Sequence, residues 1–129
     1  MRKLSVLAAG LLIAMTLLSG VATARAHLHL QLDKSTPEAD QVVHEVPTKI
    51  VLEFSQRPEL AVSRIAVKSA GGSDVKLGDV MRSEDDETIL WASIEDPLTN
   101  GAYTVNWVTS SGDGHPVRGE FSFTVDAER

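Results

Sequence analysis

Four histidines occur in the 129-residue chain, and the spacing of three of them carries chemical meaning. His27 and His29 stand one residue apart in "ARAHLHLQLDKSTP". Asp113 and His115 flank a glycine in "SSGDGHPVRGEF". Residues i and i+2 of an extended segment point the same way, so this carboxylate and imidazole can converge on one point. Gly114 lets the backbone bend between them, and Pro116 biases His115 toward an extended conformation. Asp-Gly is equally a turn dipeptide, and a hairpin-type turn is compatible with the same pair. His44, in "DQVVHEVP", falls in a loop and is expected to face solvent.

His27 gains a second donor if the chain is cut in front of it. The first residues read Met-Arg-Lys, then an apolar run from Leu4 to Leu18, then small residues to Ala26. That is the layout of a secretory signal peptide, expected over residues 1–26. The run is shorter than the roughly 20 residues of a membrane-spanning helix, and no second candidate span follows. Two sites obey the small-residue rule. Ala24-Arg25-Ala26 would leave His27 first, whereas Ala22-Thr23-Ala24 would leave Arg25 first and His27 third. The former is preferred because it ends where strand-like alternation begins. An α-amine with an ordinary pKa of about 8 yields its proton readily to a metal. Amine and imidazole of His27 then form a chelate, and Asp113 and His115 would complete three nitrogens and one oxygen. Imidazole and carboxylate in a tetragonal arrangement suit Cu(II), which also tops the divalent affinity series. Zinc more often takes tetrahedral sites built from three or four side chains.

Composition bounds the alternatives. Removing the leader takes away Arg2, Lys3 and Arg25, so the formal charge moves from −6 to −9. A surface that acidic repels nucleic acid and attracts cations. There is no cysteine, so an exported domain of this size depends on its hydrophobic core alone.

The elements that must position these residues are strands. Ile50, Leu52 and Phe54 share one side of a segment, with Lys49 and Glu53 on the other. Tyr103, Val105 and Trp107 alternate with Thr104 and Asn106, and Phe121, Phe123 and Val125 alternate with Glu120, Ser122 and Thr124. Such period-two patterns mark strands with one buried and one wet face. Arg64–Lys68 and Thr88–Ile94 are also β-rich, though Ile89-Leu90-Trp91 leaves the facing of the second ambiguous. Leu28, Leu30 and Leu32 alternate with His27, His29 and Gln31, which puts both histidines on the outer face. Gly78–Glu87 is expected to be a charged, solvated loop, since it lacks the acidic spacing of a calcium loop. About seven short strands in one domain over residues 27–129 predict an all-β fold, a small Greek-key β-sandwich or barrel.

These residues resemble the CopC family of periplasmic copper-resistance proteins. The likeness spans the chain beyond the leader: a histidine at the expected cut, "STPEAD" (Ser35–Asp40), "IVLEFS" (Ile50–Ser55), "PLTNGAYTVNW" (Pro97–Trp107) and "DGHPVRGEFSFTV" (Asp113–Val125). The resemblance implies a cupredoxin-like or immunoglobulin-like fold in the periplasm, binding one Cu(II) ion through His27, Asp113 and His115. It also implies a CopD-like inner-membrane partner, and a monomer is expected. His29 is a candidate for a further nitrogen. Two features depart from the family pattern. Members that also bind Cu(I) carry a methionine-rich loop, whereas Met81 is the sole methionine beyond residue 26, so no dedicated Cu(I) site is expected. Gln56 stands where family members often have a glutamate.

Two other functions compete with a copper carrier or buffer. Lytic polysaccharide monooxygenases also begin with a copper-binding histidine on a β-sandwich, but need longer loops and a flat polysaccharide-binding face. An immunoglobulin-like spacer would leave the histidines incidental. The coincidence of leader cut, His27 and Asp-x-His favours the carrier, with no catalysis.

Overall fold

Alternation of buried and exposed side chains governs each long strand of the computed structural model, which describes residues 29–128. The expected leader and His27 lie outside the described residues. Nine strands form in order: β1 (Leu32–Thr36), β2 (Val42–Val43), β3 (Lys49–Phe54), β4 (Arg64–Ser69), β5 (Asp74–Val75), β6 (Met81–Arg82), β7 (Ile89–Ser93), β8 (Gly101–Ser110) and β9 (Pro116–Val125). A 3-10 turn, Leu60–Val62, precedes β4. No helix among the described residues is long and apolar enough to cross a membrane.

Two sheets pack face to face, in the strand orders β1-β3-β7-β6 and β2-β9-β8-β4-β5. All ladders are antiparallel except β2 with β9. One sheet sends Ile50, Leu52, Phe54, Leu90 and Ala92 inward; the other sends Val67, Tyr103, Val105, Trp107, Phe123 and Val125. Each such large side chain contributes about 1.5–3 kcal/mol by leaving water. One aromatic pair joins the two layers and a second lies within the five-stranded sheet. Phe54 meets Trp107 edge-on at 5.3 Å, and Tyr103 stacks on Phe123 at 5.6 Å. The all-β sandwich follows the sequence expectation, with two more strands than the seven expected.

The differences have physical causes. β2, β5 and β6 are two residues long, too short for a period to register in sequence. Met81–Arg82 pairs with Trp91 and Leu90, so the middle of the expected Gly78–Glu87 loop is strand. The facing of β7 is settled by its partners: Leu90 and Ala92 point inward, while Trp91 lies outside under the Lys49 ammonium, 5.6 Å from the ring centroid. The first strand starts later than the leucine alternation suggests, at Leu32.

Candidate metal centre

β8 and β9 form the longest ladder, ten residues each, and their last pair is Ser110 with Pro116. The five residues between them carry the candidate ligands. Gly114 N–H donates to the Ser111 carbonyl at 3.1 Å and closes a tight turn. Gly114 sits at φ +78°, in the left-handed region that favours glycine. The base of the hairpin is stitched to the preceding loop. Glu59 N–H donates to the Ser110 carbonyl at 2.8 Å, and the buried Ser63 and Thr109 hydroxyls meet at 2.7 Å.

Within the turn the Asp113 carboxylate is held by its own neighbours. One oxygen accepts from His115 N–H at 3.0 Å and from the Ser111 hydroxyl at 2.9 Å. The other lies 3.6 Å from His115 Nδ1. The His115 N–H hydrogen bond, then the Ser111 hydroxyl, hold this carboxyl below the usual carboxylate range against an opposing desolvation, with weaker electrostatic support from the His115 and His29 side chains. An ionised, fixed carboxylate beside an imidazole is a ready cation-binding pair. Both side chains face solvent, His115 at 79% and Asp113 at 41% exposure.

The amino-terminal segment reaches the same end of the sandwich. Leu30 is buried in the core. Gln31 N–H donates to the Ser55 hydroxyl at 2.9 Å, and Ser55 N–H donates back to the Gln31 carbonyl at 2.8 Å. His29 is exposed and lies near enough to Asp113 to act on its carboxyl electrostatically. His44 is at the other end: it follows β2, which pairs with the far end of β9, and its Nδ1 lies 2.9 Å from the Asp126 carbonyl. Nine residue steps along β9 separate the two ends, roughly 30 Å.

The two-sheet fold has counterparts among known proteins. A family profile described as the CopC domain matches residues 32–126. The chain belongs to the CopC family. Protein YobA of Escherichia coli (strain K12) is 30% identical over 109 residues, covering 84% of this chain and 88% of that protein. The crystal structure of CopC from Methylosinus trichosporium OB3b superimposes with a TM-score of 0.72 at 30% identity, covering 78% of this chain and 97% of that one. PcoC from Escherichia coli, titled a methionine-rich copper resistance protein, gives 0.69 at 31% identity over 76% of this chain and 99% of its own.

Within this CopC domain, Asp113 and His115 come together as their spacing suggests, and of the two conformations open to Asp-Gly the turn is the one adopted. The chain does not run extended through Gly114; it turns, and the Asp113 side chain caps that turn. Among the described residues, no group of three or more His, Asp or Glu side chains is arranged to hold a metal ion. His27 lies outside the described residues, and Gln56 follows Ser55 half-buried at the end of β3. Two contributors went unread in the sequence. Ser111 donates to Asp113, a signal present in the Ser-x-Asp spacing, and Ser55 anchors the segment that bears His29.

Proposed function

We propose that the exported chain binds one Cu(II) ion in the periplasm and carries or sequesters it without catalysis. The α-amine and imidazole of His27 would join Asp113 and His115, with His29 as a further nitrogen. The observation that carries this proposal is the fixed, ionised Asp113 beside His115, at the same end of the sandwich as the Leu30–Gln31 anchor. From that anchor the chain has three residues to travel back to His27. Membership of the CopC family supports copper as the metal, as does the likeness to the copper resistance protein PcoC. With Met81 as the sole thioether beyond residue 26, the donors match Cu(II) rather than Cu(I). A CopD-like inner-membrane protein is the proposed recipient or source of the ion.

Copper held by the folded chain and not by the unfolded one stabilises it by mass action, by about 2.7 kcal/mol at a hundredfold excess over Kd. For a domain of this length, stoichiometric Cu(II) is therefore expected to raise the melting temperature by at least about 10 °C. His115→Ala should lose most of that rise, while its metal-free melting temperature stays within about 3 °C of the parent, because the side chain is exposed. An alanine added before His27 should weaken binding, since the α-amine would be displaced. No copper-induced shift in correctly processed protein contradicts the site; oxidised sugars released from a polysaccharide contradict the carrier role.

A further inference from the structure

The outer face of the five-stranded sheet carries a second feature. Strand register sets Arg64, Val108 and Arg118 in one row across β4, β8 and β9, and Ala66, Asn106 and Glu120 in the next. Residues directly opposite in a ladder share a face, so these six side chains point outward together. They line one open groove. The two arginines flank the small floor residues from strands two spacings apart, about 10 Å between their backbones.

Among the described residues neither arginine is neutralised by an acid, a state they share with Lys34, Lys49 and Arg82. Lys68, Lys76 and Arg57 each have a carboxylate partner, at 2.7, 3.1 and 3.6 Å. Arg64 and Arg118 have none among the described residues. Arg64 is nonetheless oriented, because its Nη1 donates to the Ser63 carbonyl at 2.7 Å and to the Ala61 carbonyl at 3.2 Å. Arg118 is exposed, and its guanidinium fork makes no hydrogen bond among the described residues. Guanidinium forks match carboxylates in a planar, two-point geometry.

We propose that this groove docks an extended segment of a protein partner, with one carboxylate of that segment seated between Arg64 and Arg118. Glu120, one row along, limits the acid to that end and leaves an acceptor for a backbone N–H; Asn106 offers an amide beside it. Two cations with an acid next to them fit one or two carboxylates, not a polyanionic membrane or a nucleic acid. The acidic stretch Glu84–Glu87 connects β6 and β7 of the other sheet and is not among the groove's lining residues. The groove shares no residue with the Asp113–His115 pair, but its arginine row lies one row below the Ser110–Pro116 pair, so a docked partner would sit beside the hairpin. The proposal does not depend on copper binding.

The test uses metal-free exported protein titrated by NMR with a glycine-serine decapeptide bearing two glutamates, and with its glutamine and lysine counterparts. The glutamate peptide is expected to bind saturably, with amide shifts concentrated around residues 64, 108 and 118. Its glutamine counterpart should bind at least fivefold more weakly and the lysine counterpart not at all. Arg118→Gln should weaken the glutamate peptide at least fivefold, and Glu120→Gln should tighten it. Unfolding midpoints of both variants within about 3 °C of the parent would keep the result free of folding effects. Shifts scattered over the surface, an unaltered Arg118→Gln titration, or association with anionic vesicles but not the peptide would each overturn the proposal. Cu(II) affinity, measured separately on Arg118→Gln, is expected to be unchanged.

Discussion

Asp113 accepts two hydrogen bonds from its own turn, so its carboxylate is oriented before any cation arrives. The spacing of Asp113 and His115 showed that they could converge; the turn that achieves it depends on Ser111 and Gly114 together. A second aspartate illustrates the same local physics away from the candidate site. Asp86 accepts from the Thr88 hydroxyl at 2.6 Å and from Thr88 N–H at 2.9 Å, and these bonds, hydroxyl first, hold its carboxyl below the ordinary value against slight desolvation. Because the folded value is depressed, its contribution to stability is present above the unfolded value of about 3.9 and is lost as pH falls through the folded value. Thr88→Val removes the larger cause. The Asp86 titration midpoint, followed by NMR, should rise toward the ordinary carboxylate value, and an unmoved midpoint would show that the hydroxyl is not responsible. The sequence put Asp86 in a solvated loop and Thr88 at the start of a β-rich segment, but did not tell which donor reaches which oxygen.

Strands explain why some glycines are replaceable and others are not. Gly119 lies opposite Trp107 in the β8–β9 ladder, and an added Cβ would fall 2.6 Å from the indole Cζ2. Trp107 is also packed edge-on against Phe54, so the ring has little room to move. Gly119→Ala is expected to cost about 1–3 kcal/mol, an overpacking penalty, and to lower the melting temperature by at least about 5 °C. Gly112→Ala, at a position where an added Cβ meets nothing within 4 Å, serves as the control and should melt close to the parent. A Gly119→Ala protein as stable as the control would mean that the indole relaxes freely. Long strands such as β3, β8 and β9 were legible because a half-buried strand repeats every two residues. The role of Gly119 was not, since it arises from a side chain twelve residues away that only register brings opposite.

At the scale of the molecule, the Asp113–His115 hairpin, the Leu30–Gln31 anchor and the acidic stretch Glu84–Glu87 gather at one end of the sandwich. Three links show it: Ser55 N–H bonds the Gln31 carbonyl, Phe54 N–H bonds the Thr88 carbonyl, and Glu59 N–H bonds the Ser110 carbonyl. Carboxylates clustered at that end raise the local concentration of cations, as the formal charge of −6 already suggests for the whole chain. If export exposes His27 there, the intact mass of the exported protein should correspond to residues 27–129, with one copper ion retained under native conditions. A mass beginning at Arg25 would keep a copper-chelating terminus but place His27 third, with a different geometry. Sequence by itself determined the strand-forming segments, their buried faces, the likeness to the CopC family and the pairing of Asp113 with His115. Each of these rests on local periodicity or short spacing, which a linear chain records directly. Tertiary structure alone decided the three two-residue strands, the outward face of Trp91, the demand for glycine at 119 and the Arg64–Arg118 row. Those depend on which distant segment becomes a neighbour, and backbone pairing between strands sets that without leaving a period in the chain.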